Sequence, residues 1–216
     1  MRLASVGMLL LATASFGCSS ADTLGGELGD EGFAYYCVSP ERDAADCDEG
    51  GYCGSFPDHF AVGGEFMLGF DGSGSSSNII PGSRMHAAVD SSKAIIKVEG
   101  PASFLAIDRD ERVVDLIHLD AYQVRSIDLN APPSMTVDTW FAGTIIATPL
   151  SEDDQVLAGT LAYEWSSSNE GVVALLGTTD EREVELEAMG PGQAIVTVIA
   201  GTGISSVTIN VEGDES

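Results

Sequence analysis

Beyond residue 58 the chain sets short apolar stretches between clusters of Gly, Ser, Asn and Asp, with no sustained helical period. This pattern predicts strands at Phe60–Phe70, Arg84–Val89, Ala94–Val98, Ser103–Ile107, Arg112–Leu119 and Gln123–Leu129. A second series follows at Ser134–Asp138, Thr144–Pro149, Thr160–Ser166, Val172–Leu176, Glu183–Ala188, Ala194–Ala200 and Ile204–Val211. Alternation is clearest at the end, where Val207, Ile209 and Val211 should face inward and Thr208 and Asn210 outward. Many short strands at regular spacing argue for an all-β sandwich architecture.

The two series also resemble one another. Val89–Ser92 before Ile95–Val98 parallels Trp165–Ser168 before Val172–Leu175, and each series closes on a predicted strand pair: Val113–Leu119 with Val124–Leu129, and Ala194–Ala200 with Ile204–Val211. A repeat at this offset predicts two tandem sandwiches, residues 59–130 and 131–212, with Ala131-Pro132-Pro133 as the hinge.

Composition narrows the partners. The 216 residues hold 9 Lys+Arg against 34 Asp+Glu, a net charge of −25, so the counterion-displacing cations that nucleic acid requires are missing. An anionic membrane surface is disfavoured for the same reason. At 44 % hydrophobic residues the chain can still bury a core.

The first residues carry an address. Arg2, an apolar run to about Ala14 and no acid before Asp22 form an export signal, too short to span a bilayer. Ala14-Ser15-Phe16-Gly17-Cys18 resembles a bacterial lipobox, which predicts a signal over residues 1–17, a lipid on Cys18 and sorting to the outer membrane. Membrane contact would then be through the lipid alone. Ala12-Thr13-Ala14 offers a second cleavage site, which would give a secreted or periplasmic chain starting at Ser15. Residues 18–58 read as an acidic tether and cysteine-containing linker.

The cysteines are Cys18, Cys37, Cys47 and Cys53. A lipidated Cys18 leaves Cys37, Cys47 and Cys53 as candidates for one disulfide; a free Cys18 allows two. Their spacing, with His59 beyond, is too long at its end for a three-cysteine, one-histidine zinc finger, so a disulfide-pinned loop is expected and no metal.

Residues 134–212 resemble the group 2 bacterial immunoglobulin-like domain. The motifs are Trp165-Ser166-Ser167-Ser168-Asn169-Glu170-Gly171-Val172 and Ala188-Met189-Gly190-Pro191-Gly192-Gln193-Ala194-Ile195-Val196-Thr197-Val198. Glu170 stands where proline is common, and Asp180-Glu181-Arg182 replaces a glycine turn. Residues 59–130 lack the Trp and resemble the family weakly. The resemblance implies a stalk or adhesion module of the intimin and invasin kind. Trp165 would fill the gap between sheets, and Trp140 would pack near the hinge.

Catalytic motifs are absent: no nucleophile elbow, P-loop or dinucleotide fingerprint, and His59, His86 and His118 lack metal-ligand spacing. The acidic runs Asp108–Glu111, Glu152–Asp154 and Asp43–Glu49 read as solvated turns, since none matches a calcium loop. No enzyme and no cofactor is expected. The reading is a cell-envelope lipoprotein that meets a protein or glycan partner at the cell surface. The alternative is a glycan-binding or calcium-dependent accessory module of an extracellular enzyme system.

Overall fold

The computed structural model describes residues 23–28, 32–45, 47, 56–71, 78–132, 134–137 and 143–213. Among them the only helix is one 3-10 turn, Pro40–Arg42, and the chain is all-β. The first unit comprises β1 (Thr23–Gly25), β2 (Gly32–Cys37), β3 (His59–Ala61), β4 (Glu65–Asp71), β5 (Asn78–Pro81), β6 (Ala87–Asp90), β7 (Lys93–Ile96), β8 (Gly100–Ile107) and β9 (Val113–Tyr122). The second comprises β10 (Ser126–Asn130), β11 (Met135–Thr136), β12 (Gly143–Leu150), β13 (Tyr163–Ser167), β14 (Val173–Leu176), β15 (Glu183–Ala188), β16 (Gly192–Ala200) and β17 (Gly203–Glu212).

Each unit is a sandwich of two sheets with one topology. In the first, β2-β4-β7-β6 faces β3-β9-β8-β5; in the second, β10-β12-β15-β14 faces β11-β17-β16-β13. In both, the opening strand lies antiparallel in one sheet and the chain then crosses to run parallel with the last strand of the other. This is the immunoglobulin-like arrangement. The crossing pairs the end of the last strand's outer side, Asp120–Tyr122 of β9 and Val211–Glu212 of β17, at the cost of breaking the first strand in two. The first unit adds β1 as an outer strand beside β2.

The repeat therefore holds in topology, but its register and the domain boundary differ from expectation. Val89–Ser92 lies at the β6–β7 turn, whereas Trp165–Ser168 ends β13, one strand earlier in the order. β10 does not pair with β9: it joins β12, and Val124 and Ile127 pack in the second core. Ala131-Pro132 thus lies inside the second sandwich, where the chain leaves one sheet for the other; Pro133 is outside the described residues. Proline suits that break because it cannot donate to either ladder.

The expectation of a linker through residue 58 is also corrected. β2 occupies a paired position between β1 and β4, and Phe33, Tyr35 and Cys37 are at most 7 % exposed. Period-two burial of two aromatics and a cysteine removes far more apolar area from water than a solvated tether could tolerate exposing. The tether likewise ends at Thr23. Phe60–Phe70 is two strands, split at Gly63, whose φ of +84° turns the chain.

Each sandwich has its own core. Phe33, Tyr35, Phe60, Phe66 and Phe104 fill the first with tilted and edge-on ring contacts, 4.6 Å between centroids for Phe60 and Phe66. The second is built on Val, Ile and Leu around Tyr163 and Trp165.

Candidate functional site

The connection between the two halves of the first strand has very different lengths in the two sandwiches. In the second it spans 131–134; in the first it spans 38–58 and carries the 3-10 turn. This insert lies against the second sandwich and makes the seam between the two units.

Main-chain bonds cross the seam in both directions. Ala61 N donates to Ala158 O at 2.8 Å and Ala158 N to His59 O at 2.9 Å. Glu65 and Thr160 exchange N–H···O bonds of 3.1 and 2.7 Å. From the insert, Arg42 O accepts from Leu161 N and Glu41 O from Arg182 N, while Arg42 Nε donates to Leu161 O at 2.8 Å. Cores are exchanged too: Ala61 packs into the second core and Ala158 into the first.

Backbones can come this close because glycine stands on both sides. A Cβ on Gly159 would sit 3.1 Å from Gly64 Cα, and one on Gly64 would sit 3.2 Å from Gly159 Cα. Gly159 also has φ +105°, which L side chains rarely adopt.

At the centre of the seam lies Asp43, fully buried. Its carboxylate accepts from Tyr35 Oη within the first core, from Ala45 N at 2.9 Å in the insert, and from Gly159 N at 3.1 Å in the second sandwich. One side chain thereby ties three segments. Desolvation pushes its pKa above the ordinary carboxylate value, against the three hydrogen bonds and the charge of Arg182. Burial and the neighbouring Asp43 charge push the Tyr35 phenol up as well. Tyr163, buried and raised chiefly by desolvation, has a hydroxyl without a hydrogen-bond partner.

Of the cysteine candidates, Cys37 and Cys47 form a disulfide with Cα atoms 6.2 Å apart. It closes the insert around Asp43. Cys37, Asp43 and Cys47 place their donor atoms within 4.8 Å of one another. The two sulfurs are bonded to each other and the carboxylate already serves three donors, so the cluster is structural as it stands. Cys18, Cys53 and Trp140 lie outside the described residues.

Trp165 is 7 % exposed in the second core, its Nε1 donating to Glu181 O at 2.8 Å. That bond pins the Asp180-Glu181-Arg182 turn which meets the insert. The histidines are scattered: His59 packs on Tyr122, His86 bonds Ser83, and His118 Nδ1 meets Glu27 Oε1. Asp108 Oδ1 accepts from Asp110 N and Arg112 N within its own turn. A cleft of about 420 Å³ beside the insert is lined by Glu41, Glu181, Arg182, Glu183 and Glu185.

The seam was not found from sequence. One signal for its first part existed, the apolar alternation of Phe33, Tyr35 and Cys37. Asp43 gave none, because a buried acid and a solvated acid look alike in a run of acids.

No known protein family and no curated protein matches the chain. Among solved structures the matches are at low likeness. The S-layer protein SbsC domains 4 and 5 are 13 % identical with a TM-score of 0.40, over 88 % of this chain and 95 % of that one. InvD of Yersinia pseudotuberculosis is 12 % identical with a TM-score of 0.35, over 73 % and 56 %. The D00-D0 domain of intimin is 15 % identical with a TM-score of 0.28, over 71 % and 92 %. At this distance nothing about function passes from them to this chain.

Proposed function

We propose that this chain is a non-enzymatic cell-envelope lipoprotein, a rigid pair of immunoglobulin-like sandwiches anchored by a lipid on Cys18. Its work is mechanical: it holds a binding surface at a fixed distance and angle from the membrane, as a short stalk or interaction module of the group 2 kind that the Trp165 motif resembles. Its partner is a protein or glycan at the cell surface.

The observation that carries this reading is the seam. A flexible chain of domains joins its units by solvated linkers. Here backbone pairs, exchanged core residues, the disulfide-closed insert and Asp43 hold the two sandwiches as one body. Fixing orientation at that expense suits a spacer or a presenting platform. A lipid on Cys18 would be five residues from the start of β1 at Thr23, a separation of at most about 17 Å. The first sandwich would then stand close to the lipid surface.

The test is the intact mass of the protein from its native host, combined with labelling of whole cells by a membrane-impermeant reagent. A diacylglyceryl thioether on Cys18 with residues 1–17 removed, and labelling on intact cells, is the expected result. A lipid-free chain beginning at Ser15 would sink the anchor, and lipidated protein that labels only after lysis would sink the surface role.

A further inference from the structure

The sheet β3-β9-β8-β5 of the first sandwich turns a continuous aliphatic patch towards solvent. The register sets Ile80 beside Leu105 and Leu105 beside Leu116, a row across three adjacent strands. Ile107 and Val114 border it, Ile80 and Val114 being 38 % and 39 % exposed. The patch is extended by a held segment. Leu28, 64 % exposed, donates its amide to Asp115 Oδ1 at 3.0 Å, and Glu27 N donates to Leu116 O at 2.8 Å. Buried Asp115 thus fixes an otherwise free leucine at the rim. Contiguous apolar surface of this kind marks a contact site.

Charge says what covers it. On the strands of this face the outward carboxylate is Asp120, at the seam end, and the held segment adds Glu27, whose carboxylate is matched by outward His118 on β9, in a chain carrying 34 acids. The other sheets present rows such as Glu183, Glu185 and Glu187 along β15. A two-fold contact places each surface against itself, so acidic faces repel their own copies while an aliphatic one is self-complementary. The equivalent sheet of the second sandwich carries Ile195, Ile199 and Ile204, but the hydrogen-bonded pair Thr197–Ser206, 2.9 Å apart, interrupts them.

We infer that this face of the first sandwich is an isologous contact between two copies of the chain, sheet against sheet. At ordinary strand rise and spacing the residues of β3, β9, β8 and β5 cover about 400 Å² per copy, short of the roughly 800 Å² per partner of a stable interface. The dimer is accordingly weak and reversible. It needs no anchor, so its failure and that of the lipoprotein reading are separate results.

Sedimentation equilibrium of the purified mature protein at rising concentration and salt tests the contact. A reversible dimer is expected, and added salt should tighten it by screening the mutual repulsion of two chains that each carry 8 − 34 = −26 once Arg2 has left with the signal. Leu116→Glu and, on the edge strand, Ile80→Asp should each weaken it at least tenfold with an unchanged melting curve. Ile199→Glu, the same change on the second sandwich, should leave it intact. A monomer under all conditions overturns the inference. So does a dimer that survives both first-sandwich variants, is lost in Ile199→Glu, or loosens as salt rises. If Leu116→Glu does not fold, Ile80→Asp decides.

Discussion

The two sandwiches have the same strand order and differ chiefly in one connection. Where the first strand breaks to cross between sheets, the second sandwich uses residues 131–134 and the first uses 38–58. The crossing itself is imposed by sheet geometry, so both units make it. The length of chain spent there is free, and the first unit spends it on an insert that reaches its neighbour. A site that topology leaves open has become the joint between domains. The cores differ in the same spirit. The first is aromatic, and the second aliphatic around Trp165, so equivalent positions hold Ile79 on β5 and Trp165 on β13.

The comparison breaks most severely at Trp165. Trp165→Ala should cost about 4 kcal/mol, combining lost burial with a cavity, and should free the Asp180–Arg182 turn that meets the insert. Calorimetry should then show the second sandwich melting below the first, whereas the native protein should melt in one transition.

Asp43→Ala comes next, at about 3 kcal/mol, because it leaves Tyr35 Oη and two amides buried without an acceptor. Its signature is uncoupling: small-angle scattering should show a broader distribution of interdomain angles. A rigid scattering profile in this variant would refute the central role of the carboxylate. Opening the Cys37–Cys47 bond with a reductant should cost about 2–3 kcal/mol and loosen the same joint. Gly159→Ala should cost about 2 kcal/mol from its left-handed backbone and the contact with Gly64.

Asp43 also predicts a pH effect. Its folded pKa is raised, so the folded state holds this proton more tightly than the unfolded chain. Its contribution to stability therefore falls as pH rises from the ordinary carboxylate range through the folded pKa. Asp43→Asn should flatten that slope in urea titrations across mildly acidic pH. The smallest effect belongs to the exposed pair Lys93–Glu65, 2.9 Å apart: Lys93→Ala should change stability by less than about 0.5 kcal/mol, vanishing in high salt.

The amino-acid pattern by itself determined the fold class, the tandem repeat and nearly every strand of the second unit. Those features rest on local alternation, turn residues and one motif, all carried within a few positions of each other. β12 to β17 follow it closely, and Trp165 lies in the core as its motif implies. In the first unit β1, β2 and β5 escaped: β1 and β2 lie in the acidic, cysteine-bearing stretch read as tether and linker, and β5 directly follows the Gly- and Ser-rich run 72–77. The boundary at β10 escaped because a strand's sequence says that it pairs, and not with which sheet. Only the tertiary structure decided that Asp43 is buried, that Gly64 and Gly159 meet, and that Ile80, Leu105 and Leu116 form one row. Each of these depends on residues far apart in the chain arriving at the same place, and a linear pattern holds no record of that distance.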